Sequence, residues 1–358
     1  MLSAIAFHVF VKRRIRYFWN GNALIFLTFF IQPYGEHDEG GKNMSFVIEC
    51  ENLVKIFKGE PAVTALDSVN LKVPGGSVYG LFGPNGAGKS TLIAILMGLT
   101  LPTKGNARVL GYDVLRESLE IRLRVGLLPE GFGFYDNMTA LENLKYFGLL
   151  DGIPADRVKP RANEVLEKVG LDDRANTKVS TFSRGMRQRL GIAQVLLKDP
   201  EMLIFDEPTV GIDPDGVIEF RRFIREIVKE GKTVFLSTHL LRDLGMVCTH
   251  TAIIRKGRVV AQGSIEELTQ KMKSSMGYSY EVRLKPGDVE RLLQEVKTLP
   301  EVIEVRIEGE GKISIVGRSD IGSELFSLLS RGQYSVEAMV SSKPEWEDLY
   351  RFYSGGGG

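Results

Sequence analysis

From residue 46 onward the chain alternates short apolar runs with longer amphipathic stretches. Val78–Phe82, VYGLF, is an apolar run of strand length, and LIAILMGL from Leu92 reads as a helix. Residues 201–207, EMLIFDE, make a second apolar strand that ends in two acids. Residues 236–239, LSTH, make a third that ends in a histidine. Residues 181–197, TFSRGMRQRLGIAQVLL, predict a helix with Ser183 at its N-cap. Residues 253–262, with Lys256-Gly257 at the centre, predict a hairpin, and Ser264 caps a helix that begins at Ile265. Strands alternating with helices define an α/β protein.

After residues 274–277 the pattern changes. Tyr278–Leu284 alternates as a strand, and 288–299 is helical between a Pro-Gly turn and Pro300. Residues 302–308 and 312–316 predict a hairpin around Gly309 and Gly311. Ser319 is expected to cap a helix running to Leu329, followed by a strand at 334–340 and a last helix at 344–353. The order β-α-β-β-α-β, then α, is that of a small α+β ferredoxin-like unit. That fold hosts many functions and identifies none. The four glycines at 355–358 read as a flexible end.

Composition changes the picture at the N-terminus. Residues 1–43 hold nine of the 32 aromatic residues and five bases (Lys12, Arg13, Arg14, Arg16 and Lys42) against three acids. The apolar stretch 23–31 is about half the ~20 residues needed to span a bilayer, and no small-residue cleavage site follows it. Residues 1–43 therefore read as an extension, disordered or upstream of a true start at Met44. The alternative is an interfacial anchor built on Trp19, Phe26 and Phe29 beside the basic cluster. An intact mass beginning at Met1 contradicts the start at Met44.

The 358 residues suffice for about two domains. A net charge of +1 argues against nucleic acid as a partner. Two cysteines, Cys50 and Cys248, exclude a disulfide scaffold and fit a reducing cytosol as small buried hydrophobes. No stretch of 18 or more apolar residues is present, so the chain does not itself form a helical pore.

The chemistry begins after the first strand. Gly83-Pro84-Asn85-Gly86-Ala87-Gly88-Lys89-Ser90-Thr91 meets the pattern G-x-x-x-x-G-K-[ST] between a strand and a helix. Glycines let backbone N–H groups converge on phosphates, and the helix start adds its positive end. Lys89 supplies charge to the β and γ phosphates and Ser90 a hydroxyl to Mg²⁺. This predicts nucleoside triphosphate binding. In a parallel sheet the carboxyl end of 201–207 faces the ligand crevice, which sets Asp206 near the metal and Glu207 where it polarises an attacking water.

Taken in order, these residues resemble the ATP-binding cassette (ABC) family. Phe182-Ser183-Arg184-Gly185-Met186 is similar to the family signature. The resemblance implies that Ser183 and Gly185 close on the γ-phosphate held by a second copy, so that ATP binding makes a head-to-tail dimer. It further implies that Phe57 stacks on adenine, that Gly211-Ile212-Asp213 communicates across the dimer, and that His239 secures the γ-phosphate. Glu130 stands where glutamine is common and joins Ser90 and Asp206 as a Mg²⁺ ligand. His250 has no such context and receives no role.

Glu130, Arg184 (for glycine) and Met186 (for glutamine) together are similar to the ATPases of multidrug, sodium and daunorubicin-type exporters. In those systems the multi-span permease is a separate polypeptide. The resemblance covers about residues 46–268. It implies a P-loop ABC ATPase cassette at 46–272, with a parallel sheet core, an antiparallel layer supplied by 46–76, and a helical arm at ~133–199 with Thr139 and Ser183 as caps. An accessory domain follows at 278–354. The expected function is ATP hydrolysis to ADP and phosphate, with Glu207 and His239 as catalytic residues, on the inner face of the cell membrane. Phe132, Phe134 and Tyr135 fall where the family docks its permease, and an ordinary buried cluster explains them equally. The alternative is a soluble repair- or translation-type ATPase. Repair ATPases separate their motifs by long coiled coils, and translation-type members carry two cassettes. Here one set of motifs lies without sustained heptads.

Overall fold

The computed structural model describes residues 46–309, 311–342, 349, 350, 352 and 353. The extension at 1–43 lies outside them.

The strands are β1 (Phe46–Phe57), β2 (Val63–Pro74), β3 (Val78–Phe82), β4 (Lys104–Val109), β5 (Tyr112–Asp113), β6 (Val125–Leu128), β7 (Met202–Asp206), β8 (Thr233–Thr238), β9 (His250–Arg255), β10 (Arg258–Ser264), β11 (Tyr278–Leu284), β12 (Val302–Ile307), β13 (Lys312–Gly317) and β14 (Val336–Ser342). The α-helices are α1 (Lys89–Leu96), α2 (Ser118–Arg124), α3 (Ala140–Leu150), α4 (Ala155–Lys168), α5 (Arg184–Leu196), α6 (Pro214–Lys229), α7 (Leu241–Leu244), α8 (Ile265–Met276), α9 (Val289–Val296) and α10 (Gly322–Arg331).

The central sheet has the order β10-β9-β3-β8-β7-β6, parallel from β9 to β6 with β10 antiparallel at one edge. Every residue of β3, β7 and β8 is buried, as continuous apolar strands covered on both faces require. One face packs Leu203, Phe205 and Leu236 against the helical arm of α3, α4 and α5 through Leu144, Val165 and Leu190. The other packs Leu81, Ile204 and Phe235 against α1 and the antiparallel sheet β2-β1-β4-β5. Because β3, β8, β7 and β6 are neighbours, the residues that follow their carboxyl ends converge on one edge. Those residues are the Gly83–Thr91 loop, His239, Glu207 and Glu130.

The third sheet has the order β12-β13-β11-β14, all antiparallel, connected β-α-β-β-α-β through α9 and α10. This is the ferredoxin-like arrangement. Tyr280, Val282, Ile313 and Ile315 pack beneath Leu292, Leu325 and Leu329. Ser319 does not cap α10: its hydroxyl donates to Glu301 at 3.3 Å, and the helix starts three residues later. The N-cap is Ile321, which offers no side-chain cap bond; just before it, Asp320 Oδ1 accepts the Gly322 N–H at 3.1 Å and the Tyr280 hydroxyl. The Asp320 carboxylate makes the local turn, and Ser319 is drawn to Glu301, the residue before β12. Burial and the Asp320 bond push the Tyr280 phenol up to about 12. The strand expected at 334–340 begins at Val336, because Tyr334 is buried in the core with the Arg291 guanidinium 4.2 Å above its ring.

Of the last expected helix, Leu349, Tyr350, Phe352 and Tyr353 are described and helical. Leu349, Phe352 and Tyr353 pack on Leu268 and Met272 of α8, and the Tyr353 hydroxyl donates to the Leu268 carbonyl at 2.9 Å. The Ser264 cap of α8 is a reciprocal pair with Glu267, each side chain receiving the other's backbone N–H at 3.1 Å. Among the described residues no helix is long and apolar enough to cross a membrane.

Candidate functional site

The loop between β3 and α1 is tied down at both ends. The Gly83 N–H donates to the Thr238 carbonyl at 3.3 Å, and the Gly257 N–H to the Ala87 carbonyl at 3.0 Å. Gly88 has φ +106°, and a Cβ there would stand 2.4 Å from the Ala65 carbonyl oxygen of β2. Only glycine turns the chain into α1 at that distance. Pro84, Asn85, Gly86 and Ser90 are exposed on the loop, whereas Ala87 and Lys89 are buried and Thr91 is half-buried.

Lys89 folds back over the loop. Its ammonium donates to the carbonyls of Gly83 at 2.7 Å and Pro84 at 3.2 Å, and stands 3.0 Å from Glu207 Oε1. The other Glu207 oxygen, Oε2, accepts from the His239 backbone N–H at 3.3 Å and meets His239 Nδ1 at 2.9 Å. A carboxylate accepts only, so it selects the tautomer with hydrogen on Nδ1. Glu207 has φ +50°, and its N–H lies 3.1 Å from the Ser237 carbonyl and 3.2 Å from the Ser237 hydroxyl. That hydroxyl in turn donates to Asp206 Oδ1. Lys89, Glu207 and His239 therefore form one chain of contacts, with Asp206 and Ser237 behind it.

The signature residues open α5. Ser183 Oγ accepts the Met186 N–H at 3.2 Å, and Gly185 has open space around it. They line a cleft of about 560 Å³ between α5 and α6, together with Arg184, Gly211 and Asp213. Asp213 caps α6 through the Gly216 N–H at 2.8 Å. Phe57 stands 44% exposed at the end of β1, its ring 4.8 Å from the Lys55 ammonium. Glu130 is exposed two residues past β6 and is not in the Lys89–Glu207–His239 chain. Phe132, Phe134, Tyr135, Tyr146 and Phe147 form a run of ring contacts at 5.1–6.3 Å, partly buried and partly open, with Tyr135 49% exposed.

Motif reading assigned no structural role to three residues that hold the site together. Ser237 holds both acids, and Arg184 donates to the Val210 carbonyl at 2.7 Å. Asn143, fully buried, bonds the backbone of Tyr135, Met138 and Thr139 and so fixes the loop after Glu130. Its position inside an otherwise apolar helical face is the one signal the sequence offered. Cys50 is buried with its thiol pushed up to about 12, as an inert core residue should be, whereas Cys248, expected to be buried too, is half-buried and donates its thiol to the Leu244 carbonyl at 3.3 Å.

Comparison with known proteins agrees with this geometry. A family model described as ABC transporter matches residues 66–210. The daunorubicin/doxorubicin resistance ATP-binding protein DrrA of Streptomyces peucetius is 38% identical over 312 residues, 86% of this chain and 92% of its own. The bacitracin transport ATP-binding protein BcrA of Bacillus licheniformis is 34% identical over 315 residues, 88% of this chain and 99% of its own. An ATP-binding cassette solved as a dimer in a post-hydrolysis state with ADP and Pi is 27% identical, with a TM-score of 0.56, covering 61% of this chain and 98% of that one. The chain belongs to the ABC transporter family, and its central fold is the ATPase cassette. Within the family it is an ATP-binding, ATP-hydrolysing subunit of the exporter type.

Proposed function

We propose that residues 46–272 act as a cassette that hydrolyses ATP at the interface of two copies arranged head to tail, with 278–354 as an accessory domain. The observation that carries this reading is the chain Lys89–Glu207–His239 beside the Gly83–Thr91 loop, its first two members buried and its histidine open to solvent. Lys89 and the loop amides neutralise phosphate charge, and Phe57 stacks on adenine. Glu207 accepts the proton of a water as that water attacks the γ-phosphorus and ADP leaves. His239, held by Glu207, is the side chain that secures the γ-phosphate. Ser183 and Gly185 complete the other copy's site.

Mg²⁺ fits the donors present. Among the described residues no group of three or more His, Cys, Asp or Glu could hold a metal alone. A hard cation held by one carboxylate, one hydroxyl, water and phosphate oxygens needs no such cage. Ser90 and Asp206 supply the hydroxyl and the carboxylate, and Glu130 stands at the same sheet edge. Bound there, the ion neutralises charge that develops on the phosphates.

The cassette powers a separate multi-span permease from the inner face of the membrane. The aromatic ledge of Tyr135 and Tyr146 is its docking surface. Affinity purification of the tagged chain from gently solubilised native membranes tests this. The expected result is a stoichiometric multi-span partner. Recovery only from the soluble fraction, with ribosomes, DNA or no partner, contradicts it.

A further inference from the structure

Arg184 occupies the first position of α5, next to the two signature residues. Its guanidinium donates to the Val210 carbonyl at 2.7 Å. It also covers Gly211 so closely that a Cβ there would stand 2.0 Å from its central carbon. Gly211 has φ +70°, a conformation that favours glycine. The loop beneath is a succession of tight turns that begins at Glu207. The Val210 N–H donates to the Glu207 carbonyl at 3.3 Å, and the Ile212 N–H to the Thr209 carbonyl at 3.2 Å. Asp213 then caps α6. Thr209 is 2% exposed, so the loop is anchored in the core. The start of α5 is thus bonded, within one chain, to the loop that leaves the catalytic carboxylate.

We propose that Arg184 is a positioning residue that couples the two ATP sites of the dimer. The proposal rests on the head-to-tail reading above. There, Ser183 and Gly185 of one copy close on the nucleotide held by Lys89 of the other, while Glu207 of the first copy serves that copy's own ATP. The Arg184–Val210 bond joins those two duties. When α5 moves toward the partner's phosphate, it carries Val210 and hence the backbone that sets Glu207. A charged donor makes this bond strong and directional, and the planar guanidinium also covers Gly211. Lysine reaches the same carbonyl as a point charge but lacks the planar cover.

The test is the ATPase rate of the full chain as a function of ATP concentration, for wild type, Arg184→Ala and Arg184→Lys. In Arg184→Ala the Hill coefficient, at most about two for two sites, falls to about 1, and kcat falls at least about 5-fold. The KM for ATP stays within about twofold, because the P-loop is untouched. Arg184→Lys recovers part of both losses. An Arg184→Ala variant with wild-type Hill coefficient and kcat overturns the proposal. So does one whose only change is a raised KM, which would make Arg184 a nucleotide ligand. ATP-driven dimerisation of Glu207→Gln, alone and combined with Arg184→Ala, separates the two levels. Dimers in both, with cooperativity lost only through Arg184, support the coupling. A Glu207→Gln chain that stays monomeric with ATP overturns the head-to-tail reading and the coupling with it.

Discussion

Lys89 and Glu207 face each other at 3.0 Å with side chains about 5% exposed. Removing one partner of such a pair strands the other charge, although Glu207 keeps its two contacts with His239. Lys89→Met is therefore expected to abolish ATP binding and to lower folding stability by about 2 kcal/mol. Adding Glu207→Gln removes the stranded charge and restores at least half of that loss. Urea unfolding of the two single variants and the double variant checks this, and additive losses contradict it. Each of these residues was legible in the sequence through its motif, since the loop and the acid-ended strand are local patterns. Their contact was not. It follows from β3, β8 and β7 lying side by side, which no short-range signal encodes. Arg184 was legible as a departure from the family pattern, yet its partner Val210 depends on how α5 meets the loop before α6.

At the scale of elements, the caps were the most readable feature. Thr139 Oγ1 accepts the Glu142 N–H at 3.2 Å, and Glu142 Oε2 accepts the Thr139 N–H at 2.8 Å. These bonds hold the Glu142 carboxyl below the ordinary glutamate range. A depressed folded value means the contribution is complete above the unfolded value, about 4.3, and is lost as pH falls through the folded one. Thr139→Ala is expected to cost about 1 kcal/mol, and Glu142→Gln to lower stability at neutral pH but not below about pH 4, where the wild-type carboxyl is protonated too. Chemical denaturation of wild type and both variants across that range measures it, and a Glu142→Gln cost unchanged at pH 3 contradicts the capping account. The cap at Ser319 shows the limit of such reading. Ser319 satisfies the pattern, yet its hydroxyl is drawn to Glu301, just before β12, while Asp320, which also accepts the Tyr280 hydroxyl, makes the turn into the helix.

At the scale of the whole molecule, the parallel core was readable because strands buried on both faces are uniformly apolar. The β-α-β-β-α-β succession around the third sheet was readable from its alternating runs and turns. What the sequence did not reveal is that the chain returns after that sheet, so that Leu349 and Phe352 lie on α8. Deleting 278–358 uncovers Leu268 and Met272, at about 1.5–3 kcal/mol for each side chain fully exposed. The truncated chain is expected to unfold at lower denaturant and to self-associate more weakly with ATP. Unchanged ATPase activity and self-association would remove the accessory domain from its proposed role.

The central claim is that two copies enclose ATP and that Glu207 activates the water. Sedimentation of Glu207→Gln with and without ATP and Mg²⁺, beside its ATPase rate, tests it most directly. The account predicts a dimer that accumulates only with ATP and hydrolysis slowed by about 10²-fold or more. A chain that stays monomeric with ATP, or that hydrolyses it at the wild-type rate, would contradict it.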